Sequence, residues 1–454
     1  MPVYFCHASD TGEASMSIEP GAIPTDEVEM AKGQSSEWSL PARVGFRFAF
    51  CYLLLFCMPS AGQVWLLDTI PDASRLAQPW VWIWHRITPW VAIHVFHLQG
   101  QRVTYFPTGS GDTTLDYMQY LLFFILAAVA ALIWSLLDRK RPAYNSLYAW
   151  LRVVVRLTLA VTLLSYGMAK VVPTQFQPPR LPQLTETYGE SSPMGLLWTF
   201  MGASIPYVIF SGLAELSAAV LLIFRRTALL GALLATAVML NVSMLNFCYD
   251  VPVKLYSTHL LLLSLFLLLP DLRRLADLFV LNKTAPPADL TQPWFPKRWM
   301  RTGATAMKIL LFLYAAGSNG WEGWRYLNES RSAGVPPVYG VYDVDTFTSN
   351  NPGKPALEWK RVIAERGYWA IRQPGETVYF ESHFNPKASN LELISQRRNL
   401  HGNLVYSWTD ADHLLLTGKL GNDAITVHLH RFETSKFLLT SRGFHWINEY
   451  PFNR

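Results

Sequence analysis

Charge is scarce in this sequence: only 16% of its 454 residues are Asp, Glu, Lys or Arg, against about a quarter in soluble proteins. A chain so poor in charge, and 51% hydrophobic, does not fit an entirely water-solvated globule. Cysteine is also rare. The four present (Cys6, Cys51, Cys57 and Cys248) form no CxxC pair, and none falls in the C-terminal third, which excludes a disulfide framework and a dithiol redox motif. No Gly-x-Ser-x-Gly, His-Glu-x-x-His or Walker-type sequence occurs, so the common hydrolase, metalloprotease and nucleotide signatures are missing. Residues 1–40 lack the basic start and apolar core of a secretory signal. They carry instead Asp10, Glu13, Glu19, Asp26, Glu27, Glu29 and Glu37 and are expected to form a disordered acidic tail on the cytoplasmic side.

What is abundant is apolar sequence in long runs. Six stretches, at 44–67, 117–137, 149–169, 205–224, 227–248 and 254–270, suffice to cross the ~30 Å of bilayer hydrocarbon, and a weaker seventh lies at 303–320. The predicted fold is therefore an α-helical polytopic bundle of about seven transmembrane helices over 41–320. Arg139, Lys140 and Arg141, then Arg225 and Arg226, then Arg273, Arg274, Lys283, Lys297, Arg298 and Arg301 collect in alternate loops. This places the N-terminus in the cytoplasm; the C-terminal domain then lies in the periplasm or cell exterior with seven spans, the favoured count, and in the cytoplasm with six. The net charge of +5 is thus an orientation signal, and no nucleic-acid partner is expected.

Residues 80–98 differ. Trp80, Trp82, Trp84 and Trp90 alternate with His85, Arg86, His94 and His97, which predicts an interfacial helix broken near Pro89. From 321 to 454 the composition becomes that of a soluble domain. Alternation over 340–347, 357–364, 367–372, 377–383, 391–396, 404–409, 413–420 and 425–432 predicts eight antiparallel strands in a barrel or sandwich.

Ionisable residues at membrane depth are costly, so each is a candidate for function. Glu215 lies mid-span, Arg156 lies deep enough to pair with it, and His259, Asn241 and Asn246 lie in the last two of the six strong spans. Tyr166, Lys170, Tyr249, Asp250, Lys254 and the loop residue Asp112 gather at the outer span ends. Together these predict one outward-facing polar cavity reaching down to Glu215, with Glu215, Lys170, Lys254 and His259 as catalytic candidates and the others as ligand contacts. Gly109–Asp112 reads as a tight turn. The pairs His94/His97 and His428/His430 have metal-ligand spacing but no third ligand, so no metal site is assigned.

Spans three to six resemble the DoxX-like membrane family. The likeness rests on Arg156, on Tyr166-Gly167-Met168-Ala169-Lys170, on Gly212-Leu213-Ala214-Glu215-Leu216 and on Arg225-Arg226, and extends to 192–198 and 249–254, covering roughly 117–283. The family is linked by its name to thiosulfate and quinone redox chemistry, so the resemblance implies a bacterial inner-membrane protein binding a quinone or other lipidic molecule in support of an oxidoreductase reaction. Two alternatives stay open: a scaffold or assembly factor whose β domain binds a membrane or periplasmic partner, and an enzyme with a lysine base, Lys170 or Lys254, since the two-part layout also resembles vitamin K-dependent carboxylases. No internal repeat suggests a transporter.

Overall fold

The computed structural model describes residues 37–59, 70, 72, 74–105, 108–288, 297–332, 334–351, 356–385 and 387–453. The acidic segment up to 36 and the far end of the first predicted span, 60–67, lie outside them.

The helices are α1 (Leu40–Cys57), α2 (Ser74–His94), α3 (Thr114–Leu137), α4 (Asn145–Val171), the short α5 (Leu181–Thr185) and α6 (Pro193–Gly202), α7 (Ile205–Ile223), α8 (Ala228–Cys248), α9 (Lys254–Leu268), α10 (Leu272–Phe279) and α11 (Arg298–Ser332). Among the described residues, α1, α3, α4, α7, α8 and the stretch Lys254–Phe279 are long and apolar enough to cross a membrane. The chain is a multi-pass membrane protein. Local chemistry sets the starts: Ser39 caps α1, and Thr113 and Asp116 close a reciprocal capping box on α3 before its apolar run.

The weak seventh span is helical but not among those six: Lys308, Ser318 and Asn319 interrupt its apolar run, and Glu322 and Arg325 follow just beyond it. It belongs to the 35-residue α11, which follows α4 side by side. Lys308 sits within electrostatic reach of Arg156, and Gly323 lies against Val172, so the two helices match over about 24 Å. The segment at 80–98 also departs from expectation. It is a continuous helix from Ser74 to His94 that runs through Pro89, with Trp84 buried edge-on against Phe123 of α3 and Trp82 and Trp90 exposed.

Helices α4 and α7 cross in close contact. A Cβ on Gly167 would stand 3.0 Å from the Gly212 carbonyl oxygen; one on Gly212 would meet the Lys170 Cβ at 2.7 Å. Only glycine at both positions allows this approach, as in other small-residue contacts between membrane helices.

Beyond α11 the eight predicted strands form a closed antiparallel barrel, β1 (Gly340–Ser349), β2 (Arg361–Ala364), β3 (Tyr368–Gln373), β4 (Glu376–Asn385), β5 (Asn390–Ser395), β6 (Leu400–Trp408), β7 (His413–Leu420) and β8 (Asp423–Phe432). Each strand pairs with the next and β1 closes on β8. The interior is filled by Tyr342, Trp359, Trp369, Phe380 and aliphatic neighbours. On the outer face Val341, Ile363 and Ala370 bury Leu181 of α5. The Leu181 amide donates to Glu365 Oε1 at 3.1 Å, and Arg366 donates to the Ser330 carbonyl at the end of α11. The barrel thus sits on the segment that leaves α4 beyond Lys170.

Candidate functional site

Lys170 is the next-to-last residue of α4, and Glu215 lies ten residues into α7. The Gly167–Gly212 crossing brings them together: Lys170 Nζ donates to both carboxylate oxygens of Glu215, at 2.9 and 2.8 Å. Their exposures are 7% and 4%. The Lys170 ammonium also stands 5.8 Å from the Tyr166 ring centre. Lys170, Tyr166 and Glu215 therefore stand together, the ion pair buried and Tyr166 half-buried beside it. Arg156 does not join it. The helix pitch places Arg156 about 21 Å from Lys170 along α4, where the charges acting on it come from Arg152 and Arg225. The expected Arg156–Glu215 pair is thus replaced by Lys170–Glu215. A signal for it was present in the sequence: Gly-x-Ala-Lys at 167–170 and Gly-x-Ala-Glu at 212–215 put a charge three residues past each crossing glycine.

His259 is buried in an aromatic cage. Its Nε2 lies 2.6 Å from the Tyr52 hydroxyl and its Nδ1 2.7 Å from the Leu255 carbonyl. A carbonyl only accepts, so Nδ1 carries the proton and Nε2 accepts from Tyr52. Phe56 and Tyr120 stack on the ring with centroids at 4.7 and 4.5 Å. One turn back, Tyr256 lies 6.2 Å from Phe56 and 6.3 Å from Tyr166. A lane of aromatic rings thus runs from His259 through Tyr256 and Tyr166 to Lys170. Tyr52, Phe56, Tyr120 and Tyr256 went unread in the sequence because aromatic residues are common throughout its apolar segments.

The other candidates fall elsewhere, so the single cavity expected from the sequence divides into separate sites. Asp112 accepts from the Lys254 and Leu255 amides at 2.7 and 2.9 Å, capping α9 from a remote loop. Lys254 pairs with Asp250 at 2.8 Å, and Tyr249 packs beside Val251 and Phe176. These three acidic and basic groups explain one another as a structural knot. Asn246 is buried with its Nδ2 unpartnered, whereas Asn241 is exposed on the outer side of α8, away from any such site. A buried Arg47, missed in the first apolar run, donates to Tyr144, Ser135 and the Asp138 carbonyl and is fully accounted for by them.

Among the described residues no group of three or more His, Cys, Asp or Glu side chains is placed to hold a metal. His94 ends α2, and His97 lies past the helix end with φ of 55°, so they share no helical face. His428 and His430 do share the outer face of β8, but His430 Nδ1 is engaged by Asp345 at 2.5 Å. Nearby, Asp410 hydrogen-bonds His413 Nδ1 at 2.9 Å and holds that imidazole above its ordinary value.

Over 124 residues, or 27% of its length, the chain is 39% identical to the uncharacterized protein YwoB of Bacillus subtilis (strain 168), 79% of which is covered. No family model matches the chain, and no solved structure matches it.

Proposed function

The chain belongs to the family of the uncharacterized protein YwoB, and we propose that its helical body binds a quinone-like or other lipidic molecule beside Lys170 and Glu215 and supports a redox step with it. The observation that carries this reading is a bidentate ammonium–carboxylate pair at membrane depth, joined by a lane of rings to a second hydrogen-bonding site at His259. A flat head with polar edges matches a site with aromatic faces and proton-bearing ends. Reduction of such a head takes up electrons and protons together. Glu215, Lys170, Tyr52 and His259 are groups able to hand protons on, and the electrons come from a separate donor protein. The DoxX-like resemblance agrees with this chemistry. A lysine base is less well supported, since Lys170 and Lys254 are each engaged by a carboxylate oxygen at 2.8 Å. We place this protein in a bacterial cytoplasmic membrane. The basic loops at the end of the body away from the barrel support a cytoplasmic N-terminus and an extracytoplasmic barrel.

The test is native mass spectrometry with lipid extraction on detergent-purified wild type, Glu215→Gln, Lys170→Ala and the apolar double variant Lys170→Met/Glu215→Leu. Wild type is expected to retain a stoichiometric quinone or lipid, and the folded double variant to lose it. Retention by the double variant sinks the reading. An empty wild type that carries a second polypeptide supports the scaffold alternative, which the exposed Phe444, Trp446, Ile447 and Tyr450 beyond the barrel favour as a protein-binding segment.

A further inference from the structure

We propose that the end of the helical body opposite the barrel holds a site for a phosphate-type anion, the headgroup of an acidic phospholipid, built from Arg152 and Arg156 of α4, Arg225 after α7 and Lys308 of α11. Arg156 is only 9% exposed, and its Nε has no hydrogen-bond partner; the buried Nε of Arg152 has none either. A guanidinium only donates, and a buried cation without an acceptor is among the costliest groups a fold can hold. The charges acting on Arg156 are those of Arg152 and Arg225, and those acting on Lys308 are Arg156 and Arg225. No described carboxylate is among them. Cations from three separate parts of the chain converge here, so the cluster is more than a basic loop marking orientation.

Depth agrees with a headgroup. Measured from the Gly167–Gly212 crossing, eleven residues back along α4 reach Arg156 and eleven forward along α7 reach Ile223, its last residue. Arg156 therefore lies level with the end of a span, where acidic headgroups reside and where basic pockets between helices recognise them. The planar guanidinium fork matches phosphate oxygens. Around the cluster Phe224, Leu230, Met307 and Leu310 are exposed, and these give acyl chains an apolar surface that a free phosphate would not use.

The experiment uses the full chain, delipidated in detergent and placed in phosphatidylcholine nanodiscs with or without phosphatidylglycerol, with inorganic phosphate as a separate arm. Retained lipid is counted by native mass spectrometry and stability read by thermal unfolding. Phosphatidylglycerol is expected to bind and to stabilise, with affinity falling about fivefold in Arg152→Gln and again in Lys308→Gln. Neither side chain is deeply buried, so both variants should fold. Arg139→Gln, in an exposed loop, serves as the control and should leave binding unchanged. Equal stabilisation by inorganic phosphate would keep the anion site but overturn its assignment to a lipid. Binding that is absent, or insensitive to both substitutions, or equally weakened in the control, overturns the site itself.

Discussion

Helix α4 carries two buried cations, Arg156 near its middle and Lys170 at its C-terminal end, and the two are treated differently. Lys170 is clasped by Glu215 through both carboxylate oxygens. Arg156, equally hidden, faces other cations and has an unpartnered Nε. A paired buried charge is complete within the fold, so altering it first disturbs the fold. An unpaired one asks for something from outside, so altering it first disturbs binding.

The comparison breaks most visibly at Lys170. Glu215→Gln leaves the ammonium buried opposite a neutral amide and is expected to lower stability by about 3–5 kcal/mol, whereas Lys170→Met/Glu215→Leu should recover most of it; thermal unfolding in detergent reads both. Next comes the crossing that positions the pair. In Gly212→Ala the new methyl meets Lys170 Cβ at 2.7 Å and the Gly167 carbonyl at 2.8 Å, which predicts a loss of about 1–3 kcal/mol by the same assay. Arg156→Leu should differ in sign: in anion-free detergent its stability is expected to stay within about 1 kcal/mol of wild type or to rise, and the anionic-lipid stabilisation seen in nanodiscs should disappear. The smallest effect belongs to the exposed pair on the barrel. NMR titration should find His413 above the usual ~6.5 and returning toward it in Asp410→Asn. Because its folded value is raised, the pair's contribution is present below ~6.5 and fades as pH climbs through the folded value; in water it is worth little.

Elements whose signal is periodic were legible in the sequence. Six spans announce themselves by length, and the barrel strands by alternation. The predicted 413–420 coincides with β7, and β2 is shorter than 357–364, with Leu357 and Trp359 buried in the barrel core from the irregular segment before it. What the sequence did not yield is helix rotation. Arg156 and Glu215 lie at compatible depths only if the faces and registers of α4 and α7 are guessed, and glycines at 167 and 212 fix both. His259 was singled out as an intramembrane histidine, but its Tyr52 partner lies 207 residues away, beyond any local pattern.

The placement of the charges around the Gly167–Gly212 crossing also bears on how the protein is made. Helices enter the membrane in the order of synthesis, so α4 arrives with Lys170 one residue from its end, where a long side chain can still reach the headgroups. Glu215 arrives later, in mid-helix, where an ionised carboxylate costs about 2.5–3.5 kcal/mol to insert. The ammonium is already waiting when the carboxylate comes. A rearranged gene that placed α7 and α8 ahead of α3 and α4 would leave the carboxylate in lipid without its counterion, and the nascent chain exposed to quality control for that interval.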